Sequence, residues 1–182
     1  MSAKMKTGQT AEIAGPKKAN IFPNADVAAA MIGKAKRPLL VVGSVSTKLE
    51  TNDGDFVDTA IRAMKNKKVS VVATGHLVGE FRSRGVDNAY SMSIFVLGKY
   101  LSDPAWKGFD GNGPYDVVVF AAFPYYMEWL VESGLKSFAT GLRTVSLERS
   151  YQPNAQWSLG WMPEPDWRDA LEKIVSRLEE EK

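Results

Sequence analysis

The sequence of 182 residues contains no cysteine and a single histidine, His76. A chain without thiols cannot form a disulfide, use a thiolate nucleophile or hold a cysteine-ligated iron–sulfur cluster. An ordinary zinc site is excluded on the same grounds, since zinc sites are built mainly from cysteine and histidine. Carboxylate-bound Mg²⁺ stays open, although the acidic residues show no clustered spacing typical of such a site. A metal-cluster redox centre would therefore have to belong to a neighbouring chain.

Long apolar runs and an excess of charge of one sign are also missing. No run of about 18 apolar residues is present, so no membrane span is expected. Lys+Arg 23 against Asp+Glu 21 leaves a net charge of +2, which does not favour a nucleic-acid partner. The first twenty residues contain four lysines but no apolar core of a signal peptide, so the sequence predicts a cytoplasmic protein.

The length suits one domain, which we place at residues 24–182. Residues 1–23 are predicted to be a basic N-terminal arm, because Gly8, Gly15 and Pro16 interrupt any helical pattern there. This arm is either ordered on docking or a frayed terminus, and the sequence leaves both interpretations open.

The clearest element is the apolar stretch RPLLVVG, residues 37–43, which is typical of a parallel strand buried on both faces. The pattern predicts further strands over residues 69–73, 115–121 and 143–147, a brief edge strand within 86–90, and helices over residues 24–36, 54–66, 77–84, 93–101, 125–138 and 165–180. Residues 102–114 and 148–165 are predicted to be irregular.

Strands that alternate with helices predict an α/β fold: a doubly wound, mostly parallel, Rossmann-like sheet with helices on both faces. The long connection from residue 73 to residue 115 has enough length to pass from one side of the first strand to the other. Doubly wound sheets bind their ligands at such a reversal of strand order.

Five residues that follow the first two strands are candidates for cofactor binding: Gly43, Ser44, Thr74, Gly75 and His76. The carboxyl ends of these strands should meet at one edge of the sheet, where a phosphate or a flavin would lie. Neither turn has the G-x-G-x-x-G spacing of a dinucleotide fingerprint. The alternative is that the glycines make tight turns and that the polar side chains cap helices.

Three of the five tryptophans, Trp157, Trp161 and Trp167, fall within eleven residues of a mostly irregular segment. Helical periodicity cannot bury all three. The segment either folds onto the sheet as part of the core or forms a docking surface, since tryptophan is enriched in interface cores.

Four stretches together resemble the epsilon subunit of the archaeal acetyl-CoA decarbonylase/synthase complex, which is part of its carbon monoxide dehydrogenase component. They are AAAMIGKAKRPLLVVG (28–43), SVVATGH (70–76), YLSDPAWKGFDGNGPYDVVVF (100–120) and LERSYQPNAQW (147–157). The loop DPAWKGFDGNGPYD and the YQPNA stretch are the most specific of these, because strand–glycine pieces recur in many α/β domains.

The resemblance implies a fold similar to the nucleotide-binding domain of thiamine-diphosphate enzymes and to deoxyhypusine synthase. It also implies an assembly of two large (alpha) and two small subunits, with the nickel–iron–sulfur clusters in the large one. It gives no cofactor to the small subunit beyond a suggested role in electron transfer to FAD, and it carries over no catalytic residue.

We therefore expect an accessory, non-catalytic subunit that stabilises the large subunit and contacts it through the arm and the segment 157–167. One alternative is an FAD- or nucleotide-binding module for electron transfer. A second alternative, an independent enzyme, lacks support because no base, nucleophile and orienting group can be named together.

Overall fold

The computed structural model describes residues 18–180, so most of the predicted arm lies outside the described residues. The strands are β1 (Asn20–Ile21), β2 (Pro38–Val42), β3 (Glu50–Thr51), β4 (Gly54–Asp55), β5 (Ser70–Ala73), β6 (Tyr90–Ser91), β7 (Val117–Ala121), β8 (Arg143–Ser146) and β9 (Trp157–Ser158). The helices are α1 (Ala25–Gly33), α2 (Phe56–Ala63), α3 (Leu77–Ser83), α4 (Ile94–Leu101), α5 (Tyr125–Phe138) and α6 (Glu164–Glu180).

Seven strands form one sheet in the order β1-β9-β8-β7-β2-β5-β6, and every pairing in it is parallel. The remaining two strands, β3 and β4, form a separate antiparallel hairpin. The chain leaves β2 toward β5 on one side and returns to pair β7 on the other. The predicted α/β class and the predicted reversal of strand order at the first long strand are both confirmed.

The central strands are apolar on both faces because each face is covered. In β2, Leu40 and Val42 belong to one hydrophobic core, while Leu39 and Val41 belong to the opposite one. Residues of α1, α2, α3 and α6 supply the first core, and residues of α4 and α5 supply the second. This arrangement explains why strand alternation was absent from the sequence.

Helices α1 and α2 begin at capping side chains. The Asn24 side chain accepts a hydrogen bond from the Val27 amide. The Asp55 carboxylate accepts from the Asp58 amide, and the Asp58 carboxylate accepts from the Asp55 amide in return. In α6 the predicted apolar face is buried, and the Trp167 Nε1 donates to the Leu147 carbonyl at 2.8 Å. That bond ties α6 to the end of β8.

The loop between α4 and β7 is held at the amino edge of the sheet. Arg37 pairs with Asp110 at 2.5 Å, and Asp116 accepts bonds from the backbone amides of Lys36 and Arg37, each at 2.9 Å. The rings of the loop pack on Tyr115 and its neighbours. The most specific part of the resembling sequence therefore closes the edge opposite to the one that was predicted to bind a ligand.

Four short strands were not predicted: the hairpin strands β3 and β4, and two strands of the main sheet, β1 and β9. β9 lies within residues 148–165, which were expected to be irregular, and β1 lies within the predicted arm. Phe22, which follows β1, is fully buried and stacks on Trp157 with ring centroids 5.0 Å apart. The end of the predicted arm therefore contributes an edge strand to the sheet through Asn20–Ile21. Residues 1–17 lie outside the described residues.

Gly43 packs directly against the backbone of the turn that follows β7. A Cβ built on it would lie 2.2 Å from the Ala122 carbonyl oxygen and 2.6 Å from Cγ of Phe123. Ala122 itself has a φ of 64°, which is rare for a residue other than glycine. The turns that follow β2 and β7 therefore touch, and no room remains between them for a side chain.

We expect the substitution Gly43→Ala to lower the free energy of unfolding by about 1–3 kcal/mol, because the added methyl group would displace backbone rather than a flexible side chain. The matched control is Gly79→Ala in α3, where an added Cβ meets nothing within 4 Å. It should leave stability unchanged or raise it by up to about 1 kcal/mol. Urea unfolding followed by circular dichroism measures both, and equal midpoints would contradict the close contact.

Candidate functional site at the carboxyl edge of the sheet

The five predicted cofactor-binding residues lie at the carboxyl ends of the neighbouring strands β2 and β5. Gly43 and Thr74 are buried, whereas Ser44, Gly75 and His76 are exposed. The Thr74 hydroxyl donates to the Val42 carbonyl at 3.2 Å, so it links the two strand ends. The structure thus brings all five together at one edge, but only Ser44, Gly75 and His76 are exposed to a ligand.

These three exposed residues present backbone donors. Within residues 18–180, the amides of Ser44, Gly75 and His76 donate no hydrogen bond. Gly75 has a φ of 61° and open space around the position of an added Cβ. Successive free amides around a left-handed residue are an arrangement that binds anions.

The edge differs from a Rossmann dinucleotide site in one respect. After β2 the chain makes a short 3₁₀ turn, Ser46–Lys48, and the β3–β4 hairpin before α2 begins. No helix N-terminus follows Gly43 directly, so the pyrophosphate position of a Rossmann fold is not formed here. This agrees with the absence of the glycine fingerprint.

Three glutamates gather at the same edge of the sheet, beside β7 and β8. Glu128 and Glu132 lie one turn apart on α5 and are fully buried, and Glu148 follows the end of β8. A carboxyl oxygen of Glu148 accepts a hydrogen bond from the Phe123 amide at 2.8 Å. The carboxyl oxygens of Glu128 and Glu132 have no well-formed hydrogen bond within the part of the chain that the structure describes.

Burial favours the neutral form of each of these acids. It raises the pKa of Glu148 to about 7, although the amides of Phe123 and Ala122 stabilise its ionised form. It raises the pKa of Glu128 and of Glu132 well above the usual range, and the charge of Glu148 raises both further. Because two backbone amides stabilise the ionised form of Glu148, and because the pKa of each of the other two acids is raised further above its usual range, we assign the negative charge of the cluster to Glu148.

The sequence did not predict this cluster, because glutamate on a helix normally faces solvent. A signal was present: Glu128, Glu132 and Leu135 fall on one stripe of α5, together with Val131. Among residues 18–180, no group of three or more histidine, aspartate or glutamate side chains has the arrangement of a metal site.

The fold is that of a doubly wound α/β protein, and its carboxyl edge holds three glutamates, two of them fully buried. A family model described as "CO dehydrogenase beta subunit/acetyl-CoA synthase epsilon subunit" matches residues 4–175. The chain belongs to this family. No helix among residues 18–180 is long and apolar enough to cross a lipid bilayer.

Relatives from three archaea support the assignment. Acetyl-CoA decarbonylase/synthase complex subunit epsilon 1 of Methanosarcina barkeri is 36% identical over 153 residues, 84% of this chain and 86% of the relative. Subunit epsilon of Methanothrix soehngenii is 34% identical, covering 93% and 89% of the two chains. Subunit epsilon of Methanothermobacter thermautotrophicus is 31% identical, covering 92% and 93%. The resemblance given by the sequence motifs is confirmed.

We expect stability to fall as pH rises from about 4.5 to about 7, because the unfolded chain ionises Glu148 in this range while burial keeps the proton on it in the folded chain. A raised pKa contributes no penalty below about 4.5, and the penalty is complete above the folded pKa of about 7. For Glu148 alone the loss is at most about 3 kcal/mol. Urea unfolding at intervals between pH 5 and pH 9 measures it, and few other side chains titrate there, since the chain has one histidine and no cysteine.

The variant Glu128→Gln tests the assignment, because it keeps the shape of the side chain and removes one acid. At pH 9 its free energy of unfolding should exceed that of the parent chain by about 1 kcal/mol or more, which corresponds to roughly one unit of pKa shift. At pH 5 the free energies of unfolding of the two chains should converge. Glu180→Gln, an exposed change at the end of α6, should shift stability equally at both pH values. A parent profile that is flat from pH 5 to pH 9 would contradict the buried acids.

Proposed function

We propose that this chain is an accessory, non-catalytic subunit that docks on the large carbon monoxide dehydrogenase subunit and stabilises it. The observation that carries the proposal is family membership: the relatives above are all named as epsilon subunits of a complex. The composition supports it, because a chain without cysteine cannot ligate the clusters that perform such redox chemistry.

We further propose an assembly of two large and two small subunits, with the nickel–iron–sulfur clusters held by the large ones. A small subunit that binds only the folded form of its partner raises the partner's stability by mass action. That effect requires no chemistry in the small subunit.

The three tryptophans that the sequence offered for docking have different environments. Trp167 is buried in the core, and Trp157 is half-buried against Phe22. Trp161 is 44% exposed, so it alone presents a large free surface. The part of the segment that is available for a partner is therefore narrower than the sequence predicted.

We expect Trp161→Ala to weaken binding to the large subunit at least thirtyfold if Trp161 is an interface anchor, which corresponds to about 2 kcal/mol. Titration calorimetry of the full chain with the purified large subunit measures this, and the mass of the complex tests the proposed stoichiometry. Deletion of residues 1–17 tests the basic arm in the same assay.

The control is Phe138→Ala, which removes an aromatic ring that is even more exposed at the end of α5. It should bind as the parent chain does. If the parent chain does not bind the large subunit, the proposed function is wrong. If Trp161→Ala and the deletion both bind normally, only the assignment of contacts to the arm and the segment 157–167 is wrong.

We also propose, as a second function, that the open carboxyl edge binds the phosphates of FAD or of an adenine nucleotide. The free amides of Ser44, Gly75 and His76 favour it, and bound flavin would supply electron-transfer chemistry that the chain itself lacks. Gly43 does not take part in the fit, because Ala122 and Phe123 occupy the space in front of it.

We expect FAD or ADP at millimolar concentration to raise the thermal midpoint of the full chain. Ser44→Glu should abolish the rise, because it places a carboxylate among donors that would hold a phosphate. Ser137→Glu, an equally exposed change on α5, should retain it. No shift with the parent chain, or an equal shift with Ser44→Glu, would contradict binding at this edge.

A further inference from the structure

The outer face of α4 and α5 carries an apolar patch that neither the fold nor the carboxyl edge explains. Its members are large side chains that are each 42 to 64% exposed: Phe95, Val96, Tyr100, Tyr126 and Leu130. We call these five residues the α4–α5 patch. Single exposed apolar side chains are ordinary, but a group on two adjacent helices marks an interaction surface.

The two helices touch where the patch lies. A Cβ built on Gly98 would come within 3.1 Å of Cγ1 of Val131, so the backbone of α4 approaches α5 at this point. Phe95 is one turn before Gly98, and Leu130 is next to Val131 in sequence. Exposed side chains within a turn of a helix contact share one surface, so the patch is continuous across both helices.

The charges of these helices favour one kind of occupant. The acids of α5, Glu128 and Glu132, are fully buried, and α4 contains none. Lys99 is exposed on α4, next to Tyr100 of the patch, whereas Lys136 lines a groove with Asn154 and Trp157 on the side of α5 that faces β9. The charged side chain that these two helices place beside the patch is therefore positive. A complementary surface is therefore apolar in its centre and acidic at its rim.

A second copy of this chain does not meet that description. In a two-fold contact the same patch faces itself, which would bring the Lys99 side chains of both copies to one apolar centre. Aromatic side chains such as Phe95, Tyr100 and Tyr126 are typical anchors of contacts between different chains. A different protein with an acidic rim fits better than self-association.

We propose that the α4–α5 patch docks on an apolar, acid-rimmed surface of the large carbon monoxide dehydrogenase subunit. This rests on the proposed function, and it adds a contact on α4 and α5 to those proposed for the arm and the segment 157–167. Both helices contribute side chains to the proposed contact, so replacing one side chain on each helix should weaken binding more than either replacement alone.

The test is the double variant Phe95→Gln/Leu130→Gln in the full chain. Binding to the purified large subunit should weaken at least thirtyfold, while the unfolding midpoint stays the same or rises, because both side chains are already half in water. The matched control is Phe138→Gln, which removes an exposed phenyl ring from the same helix two turns beyond Leu130. It should bind as the parent does.

A second experiment varies salt concentration and the charge at Lys99 to test the proposed acidic rim of the partner. Parent affinity should fall as salt rises from 50 to 300 mM, by order of magnitude several-fold for an exposed charged rim. Lys99→Glu should weaken binding at low salt and reduce the dependence on salt.

The outcomes separate the two proposals. Parent binding with unchanged affinity of the double variant overturns the α4–α5 patch and leaves the accessory function standing. Absence of parent binding overturns both. Sedimentation of the isolated chain checks the occupant: a parent dimer that the double variant converts to a monomer would assign the patch to self-association and overturn the inference.

Discussion

The contact between Gly43 and Ala122 is the constraint on which the rest of the carboxyl edge depends. The chain leaves β2 and β7 in adjacent turns at the reversal of strand order, where doubly wound sheets usually keep a crevice for a ligand. Here the Ala122 backbone, with a φ of 64°, lies against the face of Gly43, and the crevice is filled by protein. The open part of the edge therefore moves one strand outward, to the turns that follow β2 and β5.

The same contact explains why acids are buried nearby. The Phe123 amide, at the turn that touches Gly43, is satisfied by the Glu148 carboxylate, and the space behind that carboxylate is filled by Glu128 and Glu132 from α5. The amide donors of this turn favour the ionised form of Glu148, and burial favours the neutral forms of Glu128 and Glu132. The burial of Glu128 and Glu132 at the strand ends thus removes negative charge from the outer surface of α5.

The sequence was sufficient for the parts of the fold that have long patterns. Five apolar residues in a row identified β2 and β7, and helical spacing identified α5 with its observed bounds, Tyr125–Phe138. β1 and β9 could not be found, because strands of two residues have no periodicity. In addition, β1 pairs with β9, which lies more than 130 residues further along the chain. The role of Gly43 was equally hidden, since a glycine that packs against backbone and one that admits a ligand have the same sequence signature. Glu128 and Glu132 required knowledge of which stripe of α5 faces the sheet.

The open edge and the α4–α5 patch are neighbours, which would matter if the chain docks on a partner as proposed. The Met92 amide donates to the Ala73 carbonyl at 3.3 Å, so the approach to α4 is tied to the end of β5, one residue before Thr74 and Gly75. Phe95 and Val96 lie on the first turn of α4 and are therefore close to that end of the sheet. A partner seated on the patch would cover or border the turn that contains Gly75 and His76. Anything bound by those free amides would then lie at the boundary between two chains, where its environment depends on the partner as much as on this one.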